Sequence, residues 1–287
     1  MSLTSNLISP ADLKSLLGGE NVRVLDCSWY MPGQQIDSKR EYLDKHIAGA
    51  KFFHIDEVCD QQSDLPHMLP TSADFSQSVR RLGVDNDSDV VVYDSAGLFS
   101  AARVWWMFRV FGHQKIRVLD GGLPAWIASS GEVYDTNSDP ITEFIVSEFE
   151  AHLVPQAIVC KSQLQHNCQQ PEALVLDARS NDRFLGTAPE PRAGLPSGHM
   201  PHSISMPFTE LLENGRLRPV EQLKEILATR GVNESTKVIT SCGSGVTAAI
   251  ITLALAECGY GLQQLYDGSW TEWASADDTI ILTRIMY

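Results

Sequence analysis

Long apolar runs are missing from this 287-residue chain, and none approaches the ~18 residues that a membrane-spanning helix requires. Its opening stretch, MSLTSNLISPADL, has neither the basic nor the apolar region of a secretory signal, so a cytoplasmic protein with no membrane partner is expected. Positive charge is scarce as well. Lys and Arg number 22 against 36 Asp and Glu, a net charge of −14, and such a surface repels nucleic acid and anionic membranes. An anionic small molecule is still admissible where a site is locally positive. The six cysteines, Cys27, Cys59, Cys160, Cys168, Cys242 and Cys258, include no CxxC pair, which removes the usual signs of a disulfide framework or a zinc site. Reduced thiols, no metal and no cofactor are the expectation.

A hydrophobic fraction of 43% with 20% charged residues fits a globular protein with a substantial core, and the length fits one large or two medium domains. Ser9-Pro-Ala-Asp reads as a capped helix start. Val22–Asp26 reads as a short buried strand ending in an acid, with Cys27, Ser28 and Trp29 at its mouth. A polar loop leads to Tyr42–Ala50, Phe52 to Ile55 continue as an apolar strand, and 56–72 is a polar, proline-bearing loop. A helix over Ala73–Leu82, a strand over Asp89–Asp94, a long helix over Leu98–Phe111 and a strand at Arg117–Asp120 follow. Strands alternating with helices predict an α/β fold with a mostly parallel sheet.

The order then repeats. Val24-Leu-Asp26 returns 151 residues later as Val175-Leu-Asp177, and Leu119-Asp-Gly-Gly-Leu-Pro-Ala-Trp126 returns at an offset of 147 as Tyr266-Asp-Gly-Ser-Trp-Thr-Glu-Trp273. Asp94 stands opposite Cys242, an offset of 148. A duplicated domain follows, with residues 1–135 and 156–287 as the copies and 136–155, which includes TNSDP, as the linker. Clefts between domains are common small-molecule sites.

Cys242 holds the place of greatest chemical interest. In Val238-Ile-Thr-Ser-Cys-Gly-Ser-Gly-Val-Thr-Ala-Ala-Ile250 a β-rich run delivers the sulfur to a glycine-bearing loop ahead of a helix, where amide N–H groups favour the thiolate. A free cysteine often simply packs as a small hydrophobe. Gly243 and Gly245 favour a reactive role here, because glycines let a loop ring an anion with amides. A phosphatase-like loop would carry an arginine six residues after the cysteine, and that position is Ala248. Cys242 to Thr247 therefore form a small cradle without a strong cation, suited to a persulfide, in which a second sulfur on the cysteine carries negative charge. Asp94 in the first half is no nucleophile, and that half should be non-catalytic.

On these residues the chain resembles the two-domain rhodanese-type sulfurtransferases over essentially its whole length, as two tandem rhodanese-like domains. The loop Cys242-Gly-Ser-Gly-Val-Thr247 resembles those that use 3-mercaptopyruvate, whereas thiosulfate-preferring members carry basic residues after the cysteine. Trp105-Trp-Met-Phe-Arg-Val-Phe-Gly112, Tyr266–Trp273 and Gly186-Thr-Ala-Pro-Glu-Pro-Arg192 are also similar to that group. The resemblance implies Cys242 as nucleophile, Gly243, Ser244, Gly245, Val246 and Thr247 as the persulfide cradle, and Arg183 and Arg192 as substrate ligands. A planar guanidinium suits the carboxylate and ketone of 3-mercaptopyruvate. It further implies that Ser244 acts with a histidine and an acid. His46 is the histidine expected, with Asp37 or Asp44 as its acid. The implied partners are a small-molecule sulfur donor and a thiol acceptor such as a thioredoxin-like protein or glutathione, or cyanide. Two other readings stay open: a thiosulfate:cyanide sulfurtransferase, and a persulfide relay module without turnover of its own. Trp105, Trp106, Phe108 and Phe111 are expected in the core, Cys258 in packing, and Asp267 and Glu272 as braces of the active-site domain.

Overall fold

The computed structural model describes residues 5–140 and 147–283. Each half is built on a five-stranded parallel sheet. The first runs Leu7–Ile8, Ile116–Leu119, Asp89–Tyr93, Val22–Asp26, Lys51–Phe52. The second runs Ile158–Val159, Gln264–Tyr266, Val238–Ser241, Leu174–Asp177, Ser203–Ser205. Numbered along the chain, both sheets have the order first, fifth, fourth, second, third. The repeat read from three landmarks is thus a repeat of topology. In both halves the central strand, buried along nearly all its length, delivers the landmark residue, Asp94 or Cys242, to the carboxyl edge of the sheet. In open parallel sheets that edge is where ligands bind.

The helices that follow these central strands, Ala101–Val110 and Ala248–Glu257, pack against each other across the interface. Nine of the ten residues in the first and eight of the ten in the second are buried. A helix apolar on all sides belongs in the interior, and these two merge the halves into one core that includes Trp105, Trp106, Phe108 and Phe111. The first of them begins three residues later than its apolar pattern suggests. The amides of Phe99, Ser100 and Ala101 are committed to the Asp94 carboxylate before helical bonding starts.

Two local expectations change. The polar loop before Tyr42 contains a helix, Ser38–Asp44, capped by Asp37, which accepts from the Arg40 amide at 2.9 Å. None of its residues is buried, so no apolar stripe advertised it. The strand expected to reach Ile55 pairs only over Lys51–Phe52. Residues 141–146 of the expected linker lie outside the described residues. Its described end is pinned to the first half, with Phe149 buried against Phe75 and Phe108, and the His152 and Val154 amides donating to the carbonyls of Phe111 and Val110.

The halves differ at the acids that end their second strands. Asp177 is ion-paired with Arg179 at 2.6 Å. Asp26 has Ser28 where Asp177 has Arg179, and accepts from the Ser28 amide at 2.9 Å and from its hydroxyl at 2.5 Å. Burial pushes Asp26 up to about 6, against the lowering effect of those Ser28 bonds. A carboxyl group with a folded-state pKa above its unfolded value binds its proton more tightly when folded. Stability is therefore lost as the pH rises from about 4 through 6, by on the order of 2 kcal/mol. Asp26→Asn should gain about that much on the wild type between about pH 4 and pH 7.5 in urea unfolding. A stability difference that does not change with pH would contradict this account.

Candidate active site

Cys242 follows directly on its strand and is only 2% exposed. Its amide donates to Ser269 Oγ at 3.2 Å, its carbonyl accepts from the Trp270 amide at 2.9 Å, and the Gly243 carbonyl accepts from both the amide and the hydroxyl of Thr271. The start of the loop is thereby clamped to the Ser269–Ser275 helix. Gly245 has φ +77, and a Cβ built on it would lie 2.8 Å from Arg103 Nη1 and 3.1 Å from the Asp267 carbonyl oxygen, so only glycine fits. Among the described residues, the amides from Gly243 to Ala248 donate to no protein acceptor. Buried amides are nearly always paired, and six consecutive vacant donors beside a sulfur form a receptor for negative charge.

The first half shows how such a loop is filled. Asp94 is 1% exposed, and its carboxylate accepts from the amides of Ala96, Phe99, Ser100 and Ala101 at 2.8–3.0 Å. At the offset of 148 these match Ser244, Thr247, Ala248 and Ala249. Gly97, the counterpart of Gly245, likewise has positive φ. Burial draws Asp94 above the ordinary carboxylate range, and the four amide bonds oppose that rise.

Two arginines close over the Cys242 loop. A Cβ built on Gly243 would lie 3.2 Å from Arg183 Nη2 and 4.0 Å from Arg192 Nη1. Arg183 is held by Glu190, whose carboxylate also takes Arg179 Nη1 at 2.8 Å. Arg179 in turn grips Asp177 and stacks 4.1 Å over the Trp270 ring. Arg192 is half-buried and, among the described residues, makes no ion pair or hydrogen bond. Burial draws it below its ordinary range, and charge at Cys242 draws it back up. A desolvated, unpaired guanidinium next to a thiol is a site for an anion.

The structure brings Cys242, Ser244, Arg183 and Arg192 together, and it does not bring His46 to them. His46 is 1% exposed, its Nδ1 on the Tyr42 carbonyl at 2.7 Å and its Nε2 on Asp139 at 3.2 Å. Its counterpart His199 makes the same kind of bond, with Nδ1 on the Phe184 carbonyl at 2.8 Å. Each ring stacks on the aromatic residue that supplies its carbonyl. A histidine repeated in both halves in this way holds a turn. Asp37 caps a helix and Asp44 pairs with Arg40, so neither serves His46.

The histidine at Ser244 is His67, which sequence reasoning missed. Its Nδ1 lies 3.1 Å from Ser244 Oγ and its Nε2 2.8 Å from Asp56 Oδ1. Asp56 sits below the ordinary carboxylate range, chiefly through the hydrogen bond from His67. A proton on Nε2 leaves Nδ1 as an acceptor for the serine O–H, a tautomer inferred from these partners. The available signal was Leu65-Pro-His-Met-Leu-Pro70, a histidine between two prolines within a polar loop. Arg103 also escaped notice. It is 0% exposed and pairs with Asp267 at 2.7 Å, while its Nη2 donates to the His67 carbonyl. Asp267 Oδ2 accepts from the Leu69 amide at 2.7 Å, so Asp267 braces the site through an ion pair as well as the backbone bond expected of it. Among the described residues, no group of three or more His, Cys, Asp or Glu side chains is placed to hold a metal ion.

A model of the rhodanese-like domain matches residues 9–129 and 161–276. The mitochondrial thiosulfate/3-mercaptopyruvate sulfurtransferase 1 of Arabidopsis thaliana is 40% identical over 296 residues, covering 97% of this chain and 78% of the relative. The human 3-mercaptopyruvate sulfurtransferase is 39% identical over 264 residues, covering 91% and 88%. The crystal structure of SseA, a 3-mercaptopyruvate sulfotransferase from Escherichia coli, superposes with a TM-score of 0.84 at 36% identity, covering 93% of this chain and 99% of that one.

The paired arginines make a prediction about simple alkylation. Anionic iodoacetate should modify Cys242 faster, relative to neutral iodoacetamide, than it modifies the exposed Cys160. Arg192→Gln should cut that preference about tenfold, the effect of one close charge in a partly desolvated site. Rates measured by peptide mass spectrometry decide it, and an unchanged ratio would remove Arg192 from the anion site.

Proposed function

The chain belongs to the rhodanese-like family, and from that membership and the site geometry we infer a 3-mercaptopyruvate sulfurtransferase with Cys242 as its sulfur carrier. The observation that carries the choice of donor is Arg192. A guanidinium without a counter-charge among the described residues stands with Arg183 over Gly243, at the nucleophile. A donor bearing a carboxylate beside a ketone supplies the missing anion in the planar form a guanidinium binds best. Residues 1–135 serve as the non-catalytic half, although they lend His67, Asp56 and Arg103 to the site, and 156–287 as the catalytic half.

In this reading the Cys242 thiolate attacks the donor's thiol sulfur. The new S–S bond forms as the donor's C–S bond breaks, and the electron pair of that bond leaves as the enolate of pyruvate. Ser244, backed by His67 and Asp56, takes up the proton released by the donor thiol and returns it to the enolate carbon. Cys242 is left as the persulfide anion. Asp94 marks where the outer sulfur goes, because a carboxylate oxygen and a persulfide's outer sulfur are both three bonds from Cα. By that correspondence the amides of Ser244, Thr247 and Ala248 receive it. An acceptor thiolate or cyanide then takes the outer sulfur and restores the thiolate. No step needs a metal or organic cofactor. The acceptors proposed are glutathione, a thioredoxin-like protein or cyanide, in the cytoplasm, where a reducing milieu keeps Cys242 as a thiol.

Cys242→Ser should abolish turnover and the added mass of one sulfur on the intact protein after exposure to donor; retention of either would sink the reading. His67→Gln should lower kcat by about 10²-fold, the lower end of what a positioned acid–base group contributes, and His46→Gln should lower Tm instead. Thiosulfate is the second donor to compare, since the Arabidopsis relative bears both substrates in its name. The loop after Cys242 has no basic residue, so kcat/KM should favour 3-mercaptopyruvate.

A further inference from the structure

Trp29 lies at the mouth of the Val22–Asp26 strand, is 9% exposed, and takes no direct part in the chemistry above. Its indole Nε1–H donates to Asp56 Oδ2 at 3.1 Å, while Asp56 Oδ1 faces His67 Nε2 at 2.8 Å. The same indole meets the His67 ring edge-on, with centroids 4.9 Å apart and planes at 85°. The indole also stacks on Phe99 at 6.1 Å, and Phe99 in turn meets Phe208 of the second half.

Asp56 needs such a partner. Its side chain is 49% exposed, and a carboxylate that open to water is free to rotate away from the imidazole. His67 adopts φ +63, a conformation that a residue with a Cβ visits seldom. Its side chain is only 2% exposed, so the ring is aimed by what touches it. Trp29 touches both members of the pair, fixing one oxygen of Asp56 and walling one edge of His67.

We propose that Trp29 is a positioning residue for sulfur transfer, holding Asp56 so that His67 keeps its proton on Nε2 and presents Nδ1 to the Ser244 hydroxyl. This rests on the proposed role of Ser244, His67 and Asp56 and adds the residue that orders them. Indole is suited to the task because it is a donor only. It satisfies a carboxylate without competing for the proton on His67, whereas a tyrosine or histidine in its place would be able to accept one.

The test is a double-mutant cycle. Trp29→Phe keeps an aromatic ring at the position and removes the N–H. It should lower kcat about tenfold, the weight of one hydrogen bond to a charged group, with the KM for 3-mercaptopyruvate within about twofold, since Arg183 and Arg192 are untouched. In an Asp56→Asn background the same change should cost less than about twofold. Nitrogen-15 NMR of the His67 ring should show the Nε2–H tautomer dominant in the wild type and averaged in Trp29→Phe. Equal losses in both backgrounds, an unshifted tautomer, or undiminished kcat would each overturn the role of Trp29 while leaving the acid–histidine–serine chain standing. Should Asp56→Asn itself leave kcat unchanged, the chain is overturned and the Trp29 role with it. If Trp29→Phe does not fold, Trp29→His supplies the second variant. It keeps a ring N–H but adds an acceptor, and must lose the Nε2–H tautomer for the proposal to stand.

Discussion

The buried ion pair between Arg103 and Asp267 is the constraint from which the active site takes its shape. One partner comes from each half, on the interface helix of the first and after the last strand of the second. Both are almost fully enclosed, and Arg103 also lies 4.6 Å over the Trp106 ring. A pair removed from water gains little net stability against its desolvation, yet loss of one partner typically costs about 3–5 kcal/mol. Its value here is geometric. Arg103 holds the His67 carbonyl and lies against Gly245, while Asp267 holds the Leu69 amide. Histidine and cradle are thus fastened to one charge pair, so the distance between His67 and Ser244 is set by the docking of the two halves.

Duplication explains why that docking is reliable. Two copies of one fold meet through their equivalent helices, so a single packing solution serves both, and the landmark loops at the ends of the central strands come with it. What differs between the copies then carries meaning. The first loop is satisfied internally by Asp94, and the second is left with vacant amides and a thiol. The acid that ends the second strand has a serine beside it in one half and Arg179 in the other. Arg179 with Glu190 extends a buried network out to Arg183. Cations therefore gather beside the Cys242 loop, whereas the corresponding acid of the first half is held by the neutral Ser28.

Much of this was legible in the chain, because the signals were local. Central strands read as β-branched apolar runs, the repeat showed in three landmarks, and Cys242 was marked by its two glycines. The resemblance points to His46, whose bond to a turn carbonyl recurs in the second half at His199. That recurrence marks a structural turn, since each ring stacks on the aromatic residue whose carbonyl it binds. His67 had no such motif, and its place at Ser244 depends on a contact 177 residues away, formed through an interface that no periodicity records. The helix at Ser38–Asp44 was invisible for the opposite reason, having no buried face to betray it.

A chain with net charge −14 must gather cations to hold an anionic donor, and it does so by unequal pairing. Arg179 is saturated by two carboxylates, Arg183 shares one, and Arg192 has none among the described residues. Glu190 fixes where Arg183 points without fully neutralising the pair of arginines above Gly243. Were Arg192 also matched to an acid, the donor's carboxylate would have to displace it and would bind more weakly. With no cation near, the same carboxylate would meet an acidic surface and a developing thiolate. The unpaired Arg192 stands with Arg183 at the Cys242 loop, where in the proposed reaction both the donor's carboxylate and the leaving enolate call for positive charge.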